Sequence, residues 1–297
     1  MMNRIGPLLI VEGANNSKVP YSRSLYIDCK DKVLIDSGGD PDALLEVNRQ
    51  YGVELIVNTH YHPDHTRHNH LFRDAAKWIN QIEFEKAQTI EGIARLNGVY
   101  QEWGPEGVEM WRKNLPQDWV ENLGGYSKSY EYEKEYSFGG VKVSFLHTPG
   151  HTSGLSCPYF PELGVVYVGD YDMTSFGPWY NGTDGSIDDF IESGNRLISL
   201  DADTFITGHQ KGVFSKLDFQ QAMESFLAII QERDETIEQY VREGLTFEEL
   251  TNVGIFYPKQ TLDVPLLKTW ERSGIRKHLY RLGLTIPESS TVFGMAK

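Results

Sequence analysis

One segment of thirteen residues, NTHYHPDHTRHNH from Asn58 to His70, concentrates the side chains of this chain that are best able to bind a metal ion. It contains five of the nine histidines, together with one aspartate. Imidazole and carboxylate groups in combination suit zinc, iron or manganese better than calcium or magnesium. The segment follows the apolar run VELIV, which we interpret as a buried strand, and functional residues are common where a strand passes into a loop. A solvent-exposed polar loop is the competing interpretation.

The spacing within this segment predicts two neighbouring groups of ligands. His60 and His62 alternate along an extended stretch, so their side chains point to the same side and can bind one ion. The turn at Pro63 then directs Asp64 and His65 toward a second ion.

Three further segments repeat the arrangement of an apolar strand followed by a metal-binding side chain. They are HTPGH, VVYVGD and TFITGH, which end at His151, Asp170 and His209. A single histidine at a strand end is usually structural, but four segments of the same design argue against coincidence. The histidines that fall outside this pattern, for which we predict supporting or packing roles, are His68, His70, His147 and His278.

Taken in order, these motifs resemble those of the metallo-β-lactamase superfamily over about residues 5 to 215. The motifs are His60-x-His62-x-Asp64-His65, Thr148-Pro149-Gly150-His151, Gly169-Asp170 and Gly208-His209. The resemblance implies an α/β (α+β) fold, the αββα sandwich, with a two-metal site at the edge where the sheets meet. It assigns one ion to His60, His62 and His151, the other to Asp64, His65 and His209, and the bridging position to Asp170.

Such a centre implies hydrolysis. Two divalent ions, with zinc favoured over iron or manganese, bind a shared water and make hydroxide available near pH 7 to attack an ester, thioester or lactone carbonyl. Asp64 is also placed to orient the water or to pass a proton to the leaving group. Two alternatives stay open, namely a phosphodiesterase or nuclease with the same centre, and a persulfide dioxygenase with a single iron.

Four residues near the motifs are predicted to contact the substrate. Arg67 stands where many relatives have small residues and glycines, and it is placed to receive an anionic group. Phe176, Trp179 and Tyr180 belong to the aromatic, glycine-rich stretch after Asp170 and are predicted pocket walls. The competing interpretations are an ion pair between Arg67 and a surface carboxylate, and ordinary packing of the aromatic side chains. We therefore expect a small-molecule substrate with an apolar part.

Strands and helices that would position these residues can be predicted along the whole chain. Strands are expected over 24–29, 33–38, 53–60, 130–138, 141–148 and 203–209, with two more inside 156–170. Helices are expected over 41–52, 186–200 and 214–244, in the aromatic stretch 73–122, and twice in the tail. This pattern predicts a metallo-β-lactamase-fold domain over 1–214 with a helical aromatic insert at about 73–127. A helical, winged-helix-like C-terminal extension is expected over 215–297.

Charge and hydropathy limit the classes of partner. The formal net charge is −14, so the overall field should repel nucleic acid and anionic membranes. Apolar runs stay far below the roughly 18 residues that a membrane span requires. The first residues, MMNRIGPLLIVEG, lack the features of a signal peptide, which predicts a cytoplasmic protein. Nothing in the sequence fixes the oligomeric state, and a homo-oligomer is compatible with it.

Overall fold

Two β-sheets packed face to face form the centre of the structure, a computed structural model that describes residues 3–285. The first sheet has seven strands that neighbour one another in sequence order, and the second has six. The first sheet consists of β1 Asn3–Ile5, β2 Leu8–Val11, β3 Ser24–Ile27, β4 Val33–Ile35, β5 Leu55–Val57, β6 Ala76–Asn80 and β7 Lys128–Tyr130. The second consists of β8 Glu135–Phe138, β9 Val141–His147, β10 Ser156–Phe160, β11 Val165–Gly169, β12 Thr204–Thr207 and β13 Val213–Ser215.

Ten helices surround the sheets within the described residues. They are α1 Ala14–Ser17, α2 Pro41–Tyr51, α3 Pro63–Thr66, α4 Ile90–Asn97, α5 Val99–Lys113, α6 Gln117–Glu121, α7 Ile187–Ser199, α8 Lys216–Arg242, α9 Phe247–Thr251 and α10 Pro265–Arg281. None of these helices combines the length and the apolar character needed to cross a membrane.

Three layers of buried apolar side chains explain why the chain folds into a sandwich. Between the sheets, Val33 and Ile35 of β4 meet residues of the second sheet such as Phe145. The opposite face of β4 is also buried, because Leu34 packs with Leu44 of α2. A strand buried on both faces has a continuous apolar sequence, as VLI and LIV have here.

The outer face of the second sheet is covered by α7, α8 and the C-terminal helices. Phe205 of β12 stacks on Phe219 of α8 with ring centroids 3.9 Å apart. Ile230 and Ile275, from α8 and α10, belong to the same buried cluster. Helix, sheet, sheet and helix therefore follow one another through the molecule, which confirms the predicted αββα sandwich.

The stretch 73–122 is not helical throughout, so this prediction was partly wrong. Ala76–Asn80 forms β6, which pairs in parallel with β5 on one side and β7 on the other. Trp78 is thus a strand residue, opposite Val57 and Lys128. Helices α4 to α6 occupy the remainder of this stretch and pack around a cluster of their own.

The stretch 130–138 was predicted as one strand but belongs to both sheets. Its first residue ends β7 and its last four form β8. The chain turns between them at Glu133, whose φ is 60°. The predicted hairpin at Gly139–Gly140 is confirmed, since Phe138 pairs with Val141 and both glycines have positive φ, as a two-residue hairpin turn requires.

Sheet topology brings the functional segments to one edge. In the second sheet, β9 and β11 are each antiparallel to β10, and β12 is parallel to β11. The carboxyl ends of β9, β11 and β12 therefore lie on the same side. The segments that follow these strands carry His151, Asp170 and His209.

Candidate metal centre

Seven side chains from both sheets converge into two clusters that share Asp170. Within each cluster the potential ligand atoms all lie within 4.8 Å of one another. The first cluster consists of His60, His62, His151 and Asp170. The second consists of Asp64, His65, Asp170 and His209. These are the residues that the motifs single out, in the same grouping.

Asp170 is the geometric link between the clusters, because each of its oxygens faces a different one. Oδ2 lies 2.9 Å from Nε2 of His151 and 4.0 Å from Nε2 of His60. Oδ1 lies 2.7 Å from Nε2 of His65 and 3.6 Å from Nε2 of His209. One carboxylate can therefore serve both clusters.

Helix α3 explains how adjacent residues reach different clusters. His62 is the residue before the helix, with extended backbone, and Pro63 occupies the first helical position, where its missing N–H is tolerated. Asp64 and His65 follow on the helix and turn into the second cluster. Close packing against this turn requires Gly38, because a Cβ there would lie 1.9 Å from the carbonyl oxygen of Asp64.

Hydrogen bonds on the far side of three rings fix which nitrogen faces the centre. Nδ1 of His151 lies 2.9 Å from the carbonyl oxygen of Trp179. Nδ1 of His209 lies 2.9 Å from the carbonyl of Ser17 and 3.0 Å from that of Tyr21. A ring that donates its Nδ1 hydrogen to a carbonyl presents the lone pair of Nε2 to the centre, as a metal ligand must.

Asp36 holds the third ring, although it lies outside the motifs that single out the cluster residues. It is fully buried, and its Oδ2 lies 2.7 Å from Nδ1 of His65. The same carboxylate accepts hydrogen bonds from the backbone N–H and the hydroxyl of Thr59, both at 2.8 Å. A signal was present in the sequence, because Asp36 follows the apolar strand β4 just as the cluster residues follow theirs.

The charges of the protein favour a cation in this centre. Burial raises the pKa of Asp170, but the surrounding imidazoles, His65 most strongly, hold it well below its usual range. Burial lowers the pKa values of His60 and His62, which keeps their lone pairs available. Burial also lowers the pKa of His65, yet Asp170 and Asp36 together raise it well above its usual value. Positive charge beside these two carboxylates is therefore stabilised.

Two buried polar atoms support the fit of metal ions to this donor set. Within residues 3–285, Nε2 of His60 and Oδ1 of Asp170 are buried and have no hydrogen-bond partner, because the Nε2 of His65 that lies near Oδ1 presents a lone pair while Nδ1 of the same ring donates to Asp36. Buried polar atoms are nearly always paired, so each unpaired one requires an explanation. Both point into the clusters, and a bound divalent ion would satisfy both. Nitrogen and oxygen donors in this ratio suit zinc, iron or manganese.

The four predicted substrate residues have different surroundings. The ring of Trp179 lies 5.3 Å from that of His62 and 5.2 Å from that of His151. The guanidinium of Arg67 lies 5.4 Å from the ring centre of Tyr21. The ring of Phe176 packs on Tyr257, and Tyr180 is fully buried with its hydroxyl 2.7 Å from Nε2 of His278.

The histidines outside the motifs bond elsewhere. His68 is buried, with Nδ1 3.1 Å from the carbonyl oxygen of Ser37. Burial lowers the pKa of His68 to about 4. His147 stacks on the ring of Tyr132 at 4.2 Å. Neither ring belongs to a cluster, and His70 does not either.

A family model and known proteins match parts of this sequence. The family model described as the metallo-beta-lactamase superfamily matches residues 20–84 and 89–209. A hydroxyacylglutathione hydrolase from Brucella ovis is 26% identical over 171 residues, which are 57% of this chain and 52% of that protein. The chain thus spans about half the length of the curated relatives it matches.

Solved structures share the fold. A metallo-beta-lactamase family protein from Thermus thermophilus has a TM-score of 0.66 at 21% identity, with 93% of each chain covered. A beta-lactamase domain protein from Burkholderia ambifaria has a TM-score of 0.66 at 14% identity, covering 95% of this chain and 88% of that one. Because the family model spans more than half of the sequence and includes all seven cluster residues, the chain belongs to the metallo-β-lactamase superfamily.

Proposed function

We propose that this protein is a cytoplasmic hydrolase that holds two divalent ions, zinc by preference, and cleaves an ester, thioester or lactone. The observation that carries the proposal is the pair of ligand clusters joined by Asp170. His60, His62 and His151 would hold one ion, Asp64, His65 and His209 the other, and Asp170 both. When bound, such a pair of ions supplies a nucleophile of low pKa and stabilises the developing oxyanion.

Asp64 is the residue of the centre best placed to handle a proton. Its side chain is 13% exposed, whereas that of the neighbouring His65 is fully buried. Oδ2 of Asp64 lies 3.4 Å from Nε2 of His209, which leaves the carboxylate at the rim of the second cluster. We propose that this carboxylate orients the attacking water and passes a proton to the leaving group.

Trp179 is proposed to bind the apolar part of a small-molecule substrate. Its ring is in edge contact with that of His62. An apolar group packed against the Trp179 ring would therefore lie beside the first cluster. Nε1 of Trp179 donates to the hydroxyl of Tyr257 at 2.7 Å, which fixes the plane of the ring. A fixed aromatic wall binds an apolar group without losing side-chain entropy of its own.

Arg67 is proposed to receive an anionic group of the substrate. Its backbone is helical, so it lies one turn after Asp64 on the same face, where residues three apart are neighbours. Tyr21, over which its guanidinium lies, accepts from the ligand His209 through its backbone. Within residues 3–285 no carboxylate pairs with Arg67, although most other arginines have such a partner.

Metal analysis combined with a substrate panel tests the proposed function. Protein purified without added metal should contain two zinc ions per chain and hydrolyse at least one ester, thioester or lactone. His60→Ala should lose one ion and slow hydrolysis by at least about 10²-fold, since a ligand of the centre is removed. A phosphodiester as the only substrate cleaved would contradict the proposal, and so would one tightly bound iron with thiol-dependent oxygen uptake.

Arg67→Met is expected to distinguish anionic from neutral substrates. For substrates with a carboxylate or phosphate, KM should rise about tenfold, which corresponds to about 1.4 kcal/mol for a lost charge-assisted hydrogen bond. Neutral analogues should keep their KM. Arg73→Met is the matched control, because it removes the same charge from an exposed position six residues later. An equal change of KM for both substrate classes would contradict this role.

A further inference from the structure

The segment between β11 and α7 makes direct contact with a cluster residue through its backbone. The carbonyl oxygen of Trp179 lies 2.9 Å from Nδ1 of His151, and this contact sets the orientation of the ring. We refer to residues 176–185 as the 176–185 loop. Its other end also reaches the His151 segment, since the carboxylate of Asp184 accepts from the backbone N–H of Ser153 at 3.2 Å.

Arg233 of α8 holds the part of the loop before Trp179. Its side chain donates to the carbonyl oxygens of Pro178 at 2.6 Å and Phe176 at 2.7 Å. Arg233 is only 6% exposed, and a buried cation needs such partners to offset the loss of its hydration. Both carbonyls belong to residues that shortly precede Trp179 in the loop.

Lys277 of α10 holds the part of the loop after Trp179. Its ammonium group donates to the carbonyl oxygen of Tyr180 at 2.8 Å and also to those of Gly182 and Gly185. The ring of Tyr180 is inserted between the C-terminal helices, with its hydroxyl 2.7 Å from Nε2 of His278. The loop is therefore fixed on both sides of Trp179 by residues of the C-terminal helices.

The second cluster is supported from a different part of the chain. His65 is held by Asp36, and His209 by the carbonyls of Ser17 and Tyr21. These supports come from the first 36 residues. Loosening the 176–185 loop should therefore affect one cluster and spare the other.

We propose that Arg233 and Lys277 are positioning residues for the cluster that contains His151. By fixing the 176–185 loop they hold the Trp179 carbonyl, which in turn keeps Nε2 of His151 directed at the metal. The C-terminal helices thus set the affinity of one metal site. This inference rests on the proposed function, since it assumes that both clusters bind ions.

Zinc titration against a competing chelator tests the proposal, because it reports two affinities without requiring a substrate. Lys277→Met and Arg233→Met should each weaken one of the two sites by about 10-fold or more, the effect typical of lost support for a metal-bound histidine. The other site should keep its affinity. Lys268→Met is the matched control, since Lys268 lies on the same helix but pairs with Glu248 at 2.9 Å and does not contact the loop.

A double variant identifies which site has changed. In the His60→Ala background only the second cluster keeps its full ligand set, so adding Lys277→Met should leave the affinity of the remaining site unchanged. Lys277→Arg, which keeps a cation and its donors, should restore part of the affinity lost in Lys277→Met. Arg233 is buried, so if Arg233→Met does not fold, the half-buried position 277 carries the test alone.

The possible results separate this inference from the function on which it rests. Wild-type protein that does not bind two ions would refute the proposed function. If the wild type binds two ions and Lys277→Met binds both with the wild-type affinities, the inference is overturned but the proposed function is not. Equal weakening of both sites would overturn it too, because that pattern indicates general destabilisation.

Discussion

Asp170→Asn is expected to abolish binding of both metal ions and to lower hydrolysis by about 10³-fold or more. One oxygen of Asp170 lies 2.7 Å from His65 and the other 2.9 Å from His151, so a single substitution alters both clusters. Asparagine has nearly the same shape, but one of its terminal atoms is an NH2 group that cannot bind a cation, and its charge is lost. Losing both the nucleophile and the oxyanion stabilisation accounts for the size of the effect.

Metal content measured by elemental analysis, together with the rate on the best substrate, checks this prediction. Asp172→Asn is the matched control: this carboxylate is also buried and lies two residues later, but it belongs to neither cluster. The Oδ1 of Asp172 accepts from the backbone N–H of Thr174, a bond that asparagine can keep. The control should retain two ions. Two ions retained by Asp170→Asn would show that Asp170 does not link the sites.

Among substitutions outside the seven cluster residues, Asp36→Ala is expected to have the largest effect on zinc affinity and on the free energy of unfolding. Without the carboxylate, Nδ1 of His65 loses its partner, and zinc affinity of the second cluster should fall about 10- to 100-fold. The backbone N–H of Thr59 also becomes unpaired in a buried site, while its hydroxyl keeps only the contact with Nδ1 of His60. At about 1–3 kcal/mol for each unsatisfied group, the free energy of unfolding should fall by several kcal/mol.

Urea unfolding of the metal-free protein and zinc titration of the folded protein separate the two effects of Asp36→Ala. Asp28→Ala is a suitable control, since Asp28 follows the neighbouring strand β3 but is partly exposed and pairs with Arg4 at the surface. Loss of such a pair should cost less than about 1 kcal/mol. Wild-type zinc affinity in Asp36→Ala would exclude a role of Asp36 in orienting His65.

The strands that carry the candidate site could be predicted because each is a short, apolar, β-rich run that ends in polar residues. β6 could not, since Ala76–Asn80 lacks a β-branched run and is a strand because β5 and β7 pair with it. Its pairing with β7 joins residues about 50 positions apart, which local sequence does not reveal. The turn at Glu133 could not be predicted either, because the strand-like alternation of the sequence continues through this position.

The side chains of the candidate site were predictable for a different reason. Histidine and aspartate at strand ends are distinctive residue types, and the chain order of the motifs is distinctive too. Support by backbone carbonyls leaves no such trace, because every residue has one; the Trp179 carbonyl bonded to His151 is an example. Arg233 and Lys277 were hidden likewise, since their partners are main-chain oxygens far away in sequence.

The order of these residues along the chain has a consequence for biosynthesis. His60 to His65 leave the ribosome early, yet His209, which completes the second cluster, is translated 144 residues after His65. Arg233 and Lys277 emerge later still. A nascent chain therefore exposes four donors without the rest of their ligand set, and an ion captured at that stage would meet an open, poorly selective site. Correct metal loading should follow release of the finished chain, so the metal supply that matters is the one present after translation.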